Sequence, residues 1–170
     1  MIPNALKVAF RRFSSIGITD GMTIPKRKQV RLVNHVALSM SLLALPYFFI
    51  FTHFNLHQAA FYVIHILVLY IISLILNYTH HSYIAGLIQI ATQIMFLPFY
   101  SVYLGITSGA HLLLVPLSIL PYMFFSHDDA KPYLRVSLGI IGLGMVFLWA
   151  SHMFTLFTPV HIPLYVSRFL

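Results

Sequence analysis

The sequence predicts an all-α integral membrane protein: an up-and-down helical bundle with five transmembrane helices and an N-terminal amphipathic interfacial helix. Three observations predict it. Of 170 residues, 59% are hydrophobic and only 8% are charged, against about 25% charged in a soluble domain. The mean hydropathy is +0.88. The apolar residues also fall in blocks near the ~20 residues that cross about 30 Å of hydrocarbon at 1.5 Å per residue.

The first 32 residues form a basic segment. In "ALKVAFRRF", Leu6, Ala9, Phe10 and Phe13 share one helical face, while Lys7, Arg11 and Arg12 point away. That pattern fits a helix lying on an anionic membrane surface; a disordered basic tail is the other reading. A cleavable signal peptide is excluded, because no short apolar stretch follows the first charges. The segment ends in "PKRKQVRLVNH", where Lys26, Arg27, Lys28 and Arg31 meet a block without charge.

Five apolar segments follow, over Val33–Phe51, His57–Asn77, Tyr83–Tyr103, Gly109–Phe125 and Val136–Phe157. Together they make a transmembrane domain over residues 33–157. The connections "THFNL", "YTHHS", "LGITS" and "SHDDAKPYLR" are short, so neighbouring helices are antiparallel. Nine of ten Lys and Arg residues lie on one side of this arrangement, and only Arg168 lies on the other. Positive charge marks the cytoplasmic side, so Arg11, Arg12, Lys26, Arg27, Lys28 and Arg31 read as topology signals and lipid-headgroup contacts. The net charge of +7 then reflects membrane placement, and nucleic acid is excluded as a partner. Five crossings from a cytoplasmic N-terminus leave residues 158–170 outside, as a tail or the start of a loop towards a sixth helix.

Further residues carry a resemblance. Gly17, Ile18, Asp20, Lys26 to Lys28, Arg31, Leu32 and Asn34 are similar to the entry of a six-span membrane module of bacterial signalling proteins. Leu104, Gly105, Ser108, Gly109 and His111 resemble its second external turn and fourth helix. Such modules precede class III adenylate/guanylate cyclases, histidine kinases and diguanylate cyclases. The resemblance implies a sensory or anchoring domain in the bacterial inner membrane, here without the last helix and the output domain. It implies no catalytic group in this chain.

Ten histidines stand beside three aspartates and no glutamate. His53 and His57 have i, i+4 spacing, and His80 and His81 are adjacent, which faintly resembles the boxes of membrane di-iron enzymes. A full helix separates the two groups, so they cannot share a metal. His65 and His152 lie well within predicted spans, where a titratable side chain calls for a partner or a pocket. Three readings stand for the outer histidines: interfacial or carbonyl-bonded side chains, a ligand- or pH-sensing pocket, and bis-histidine haem or copper binding. Gln89 and Gln93 share a face of the third span and are expected to turn inward. The candidate ligand-binding set is therefore His65, His111, His152, Gln89 and Gln93, for a small or lipophilic ligand, with no cofactor or metal assigned. Pro46, Pro98, Pro116 and Pro121 are candidate hinges. Ser137, Gly139, Gly142 and Gly144 suggest close helix packing, within the bundle or across a homodimer. The alternative from a different class is a small histidine-rich membrane haem or metal protein.

Overall fold

The computed structural model describes residues 12–103, 112, 114–125 and 130–153. Among them there is no strand, and six helices follow in order: α1 (Ile24–His53), α2 (His57–Tyr78), α3 (Ser82–Tyr103), α4 (Leu114–Leu117), α5 (Leu120–Phe124) and α6 (Lys131–Met153). Four of them, α1, α2, α3 and α6, are long and apolar enough to cross a membrane.

α1 begins at Ile24, well before the expected span. Pro25 sits in its first turn, where a missing N–H costs nothing, and Lys26, Arg27, Lys28 and Gln29 are good helix formers. The basic cluster is thus the first turn of the spanning helix itself. At 1.5 Å per residue its 30 residues extend about 45 Å, enough to carry the charges clear of the hydrocarbon.

The two tight turns share one geometry. Asn55 and His80 adopt left-handed backbone conformations, with φ of 58° and 66°. The next amide reaches back five residues, Leu56 to the Phe51 carbonyl and His81 to the Leu76 carbonyl, both at 2.8 Å. This closes the helix end and satisfies an orphan carbonyl. Asparagine and histidine both tolerate positive φ, which gives His80 a structural reason to be there.

The fourth expected span, Gly109–Phe125, has no single long helix among its described residues. α4 and α5 are short and separated by a turn at Ser118–Ile119. Pro121 sits at the start of α5, where it can begin a helix but not continue the preceding one. The expected interfacial helix falls mostly on residues outside the described set; only its end, Arg12 and Phe13, is described, within a short helical turn. The tail 158–170 lies outside it as well.

α1 packs chiefly on α2, α2 on α3, and α3 on α6. One apolar core joins Val33, Ala85, Ile90, Ile94, Phe124, Phe125, Ile141 and Leu148; a smaller one joins Phe51, Ala59, Ala60 and Val63 beside the α1–α2 turn. At Gly144 an added Cβ would lie 2.1 Å from the Ile94 Cγ2, so this glycine lets α6 approach α3 closely. Gly139 and Gly142 face open space.

Candidate functional site: a polar ladder beneath an apolar cavity

α1, α2 and α3 are joined by side-chain hydrogen bonds in their halves nearest the basic residues. Asn34 on α1 is fully buried. Its Nδ2 donates to the Ser14 and Ile16 carbonyls at 3.2 and 2.8 Å, and its Oδ1 accepts from Asn77 Nδ2 at 2.7 Å. Asn77 also donates to the Val30 carbonyl at 2.9 Å. One turn along α2, Ser73 donates to the Ala85 carbonyl at 3.1 Å. Gln89 reaches across from α3, donating to the Val33 carbonyl at 2.9 Å and to Ser73 Oγ at 2.7 Å. A further turn along, Gln93 Nε2 donates to the Tyr70 hydroxyl at 3.2 Å. The result is a ladder from Ser14 and Ile16 to the middle of the bundle. In hydrocarbon an unpaired amide is costly; each amide nitrogen of the ladder has a partner, while Asn77 Oδ1 and Gln89 Oε1 have none among the described residues.

Gly17 seats the chain before α1 on this ladder. Its φ is +79°, and an added Cβ would stand 2.2 Å from the Asn77 carbonyl oxygen. Only glycine fits there. Arg27 fastens the same stretch, donating from Nε to the Met22 carbonyl at 3.1 Å and from its guanidinium to the Asp20 carbonyl. Lys26 Nζ lies 3.2 Å from the centroid of the Tyr83 ring, which stacks on Tyr133 at 4.8 Å. Two of the expected headgroup residues therefore have partners within the protein, while Arg12, Lys28 and Arg31 are exposed. Arg11 is outside the described residues.

Above the ladder the packing changes. From Leu38 to Ile50 no α1 residue is buried. A cavity of about 400 Å³ lies between this stretch, α2, α3 and the α4–α5 segment. Its walls are apolar, Met40, Leu43, Phe96 and Leu97 among them, and Tyr70, Thr92 and Gln93 stand at its inner end. Beyond it Phe51 stacks on Tyr100 at 6.0 Å, and the Tyr100 hydroxyl donates to the Ala59 carbonyl at 3.3 Å. α1 is thus held on either side of the cavity, while alongside it Ala44 and Phe48 pack only partly buried against the smaller core. Pro46 falls within this stretch and frees a backbone carbonyl there.

The candidate residues separate. Gln93 lines the cavity, and Gln89 is fully buried in the ladder just below it. His65 is exposed on α2, donates from Nδ1 to the Phe61 carbonyl of its own helix at 2.9 Å, and packs on the Phe61 ring at 4.2 Å. It does not line the cavity. His111 and the side chain of His152 lie outside the described residues. His57 borders a second hollow of about 600 Å³ with Gln58, Phe61, Tyr62 and Phe99. Among the described residues no three His, Asp or Glu side chains converge as metal ligands.

The sequence marks Asn77, like Gln89 and Gln93, as polar at or near span depth, but does not join it to Tyr70 and Ser73 on the same helix. The i, i+3, i+7 spacing of Tyr70, Ser73 and Asn77 on an otherwise apolar helix is the signal that marks them as one inward stripe. No protein-family model matches the chain, and no curated protein and no solved structure matches it either.

Proposed function

We propose that this chain is the membrane sensory module of a bacterial signal-transduction protein, of the kind that precedes a nucleotide cyclase or a histidine kinase. It binds a small lipophilic ligand in the cavity and passes a conformational bias to the segment before α1. In this reading the basic end faces the cytoplasm, because nine of ten Lys and Arg residues gather there. Gly109–Phe125 serves as one of five crossings of the inner membrane, interrupted at Ser118–Ile119.

The observation that carries the reading is the continuity of cavity and ladder. Gln93 and Tyr70 form the cavity's inner end, and Ser73 and Asn77 follow on α2 as Gln89 does on α3, down to the carbonyls of Ser14 and Ile16. A ligand that moves α1 against α2 and α3 must disturb these bonds. It shifts the segment's equilibrium only by its differential affinity for the two arrangements.

The chain contains no cysteine, so a single Thr19→Cys carries an environment-sensitive fluorophore without background labelling. Dodecanol added to the labelled chain in nanodiscs is expected to change the emission saturably, and Asn77→Ala to abolish the change. Emission that does not move while dodecanol occupies the cavity would contradict the proposal.

A further inference from the structure

The chemistry of the cavity's inner end points to a class of ligand, and this rests on the cavity being a binding site. The Gln93–Tyr70 pair is incompletely satisfied. The Tyr70 hydroxyl accepts from Gln93 Nε2 at 3.2 Å. Among the described residues its own proton meets no acceptor, and Gln93 Oε1 meets no donor. Turning the Gln93 amide over leaves the count similar: the Tyr70 hydroxyl would donate to Oε1, leaving its oxygen lone pairs and the Nε2 protons. Either way, at least one donor and one acceptor remain at the inner end of an otherwise apolar chamber. Thr92 adds little, since its hydroxyl donates to the Ile88 carbonyl at 2.7 Å.

Gln93 is half-buried at the cavity wall, and a ligand whose polar group matches these atoms gains what a hydrocarbon cannot. Met40 to Tyr47 on α1 places the two ends of the cavity about 10 Å apart. Its volume lies within the ~300–1,000 Å³ of small-molecule sites.

We infer that the cavity takes a single-chain amphiphile inserted head first, whose one small polar group carries both a donor and an acceptor. A hydroxyl, a protonated carboxyl or a primary amide qualifies. The head meets Tyr70 and Gln93, and the tail runs towards Tyr47 and Tyr100. A bilayer phospholipid would enter the other way, with its tail end at Tyr70 and its head at the interface.

The test is photolabelling of the full chain in nanodiscs with dodecanol bearing a diazirine at the methyl end. Labels are mapped by mass spectrometry, with unlabelled dodecanol and dodecane as competitors. Labels at Tyr100, half-buried at the outer end of the cavity, are expected, with dodecane competing roughly tenfold more weakly than dodecanol for want of two hydrogen bonds. Tyr70→Phe, which keeps the ring, should narrow that difference, as should Gln93→Leu. Because the comparison of competitors uses the unaltered chain, a variant that fails to fold does not decide the matter.

Labels in the cavity with equal competition by dodecane would overturn the amphiphile while leaving the binding site in place. Labels concentrated at Tyr70 and Gln93 would reverse the ligand's direction and also overturn it. Labels confined to lipid-facing positions such as Leu42 and Val146 would remove the binding site itself, and the ligand with it.

Discussion

The two halves of α1 are built differently. From Gln29 to Ala37, five residues are buried: Gln29, Val30, Val33, Asn34 and Ala37. They face a helix pair that meets them with directed hydrogen bonds. From Leu38 to Ile50 nothing is buried, and the facing side chains leave a cavity. Packing in a membrane gains no hydrophobic driving force, because lipid is as apolar as leucine. Polar bonds and close backbone approach therefore decide where helices hold together. The first half has directed bonds; in the second, Ala44 and Phe48 pack only partly buried on the smaller core, and there a cavity remains.

The difference can be broken most severely at Gly17. Alanine there needs an unfavourable positive φ and a Cβ 2.2 Å from the Asn77 carbonyl. We expect a cost of about 2–3 kcal/mol to docking of the segment before α1. Trypsin cleavage at Arg12 should rise on the order of tenfold or more, and an unchanged rate would mean that the segment does not sit on α2. Asn34→Ala comes next, at about 1–3 kcal/mol by thermal denaturation in detergent, because it strands one Asn77 Nδ2 proton and two carbonyls. Asn34→Ala with Asn77→Ala should cost less than the sum of the singles, since the bond between the two side chains is lost only once.

Gln89→Leu sharpens the comparison. It removes bonds to Val33 and Ser73 but also a buried oxygen, Oε1, that has no partner among the described residues. About 1 kcal/mol is expected, close to the mean for such bonds between membrane helices. Smallest is His65→Ala: the side chain is exposed and bonds only within its own helix, so both stability and dodecanol binding should stay within about 0.5 kcal/mol of the parent.

These cases also show what the sequence makes legible. Hydropathy blocks locate α1, α2, α3 and α6 because a long apolar run has few alternatives to a spanning helix. Gln89 and Gln93 announce their face through i, i+4 spacing. His65 left its partner open: a polar residue at depth needs one, and the Phe61 carbonyl of its own helix supplies it. Hydropathy alone does not register the break between α4 and α5; the candidate hinges Pro116 and Pro121 were its only sign, and Pro121 does begin α5. Gly17 was visible only as a glycine before a basic stretch, since the carbonyl it accommodates belongs to Asn77, far along the chain. Gln29, in the first turns of α1, is buried with neither amide atom paired among the described residues.

The most direct test is a pair of distance distributions by pulsed electron resonance on the chain in nanodiscs. One spin-label pair, Leu42→Cys with Met95→Cys, spans the cavity. The other, Thr19→Cys with Tyr78→Cys, spans the clamp formed where the segment before α1 sits on the end of α2. We predict a broad cavity distribution that narrows when dodecanol is added, and a narrow clamp distribution that shifts with it. A cavity distribution already narrow and indifferent to dodecanol, beside an unmoved clamp, would contradict a ligand-responsive cavity coupled to the segment before α1.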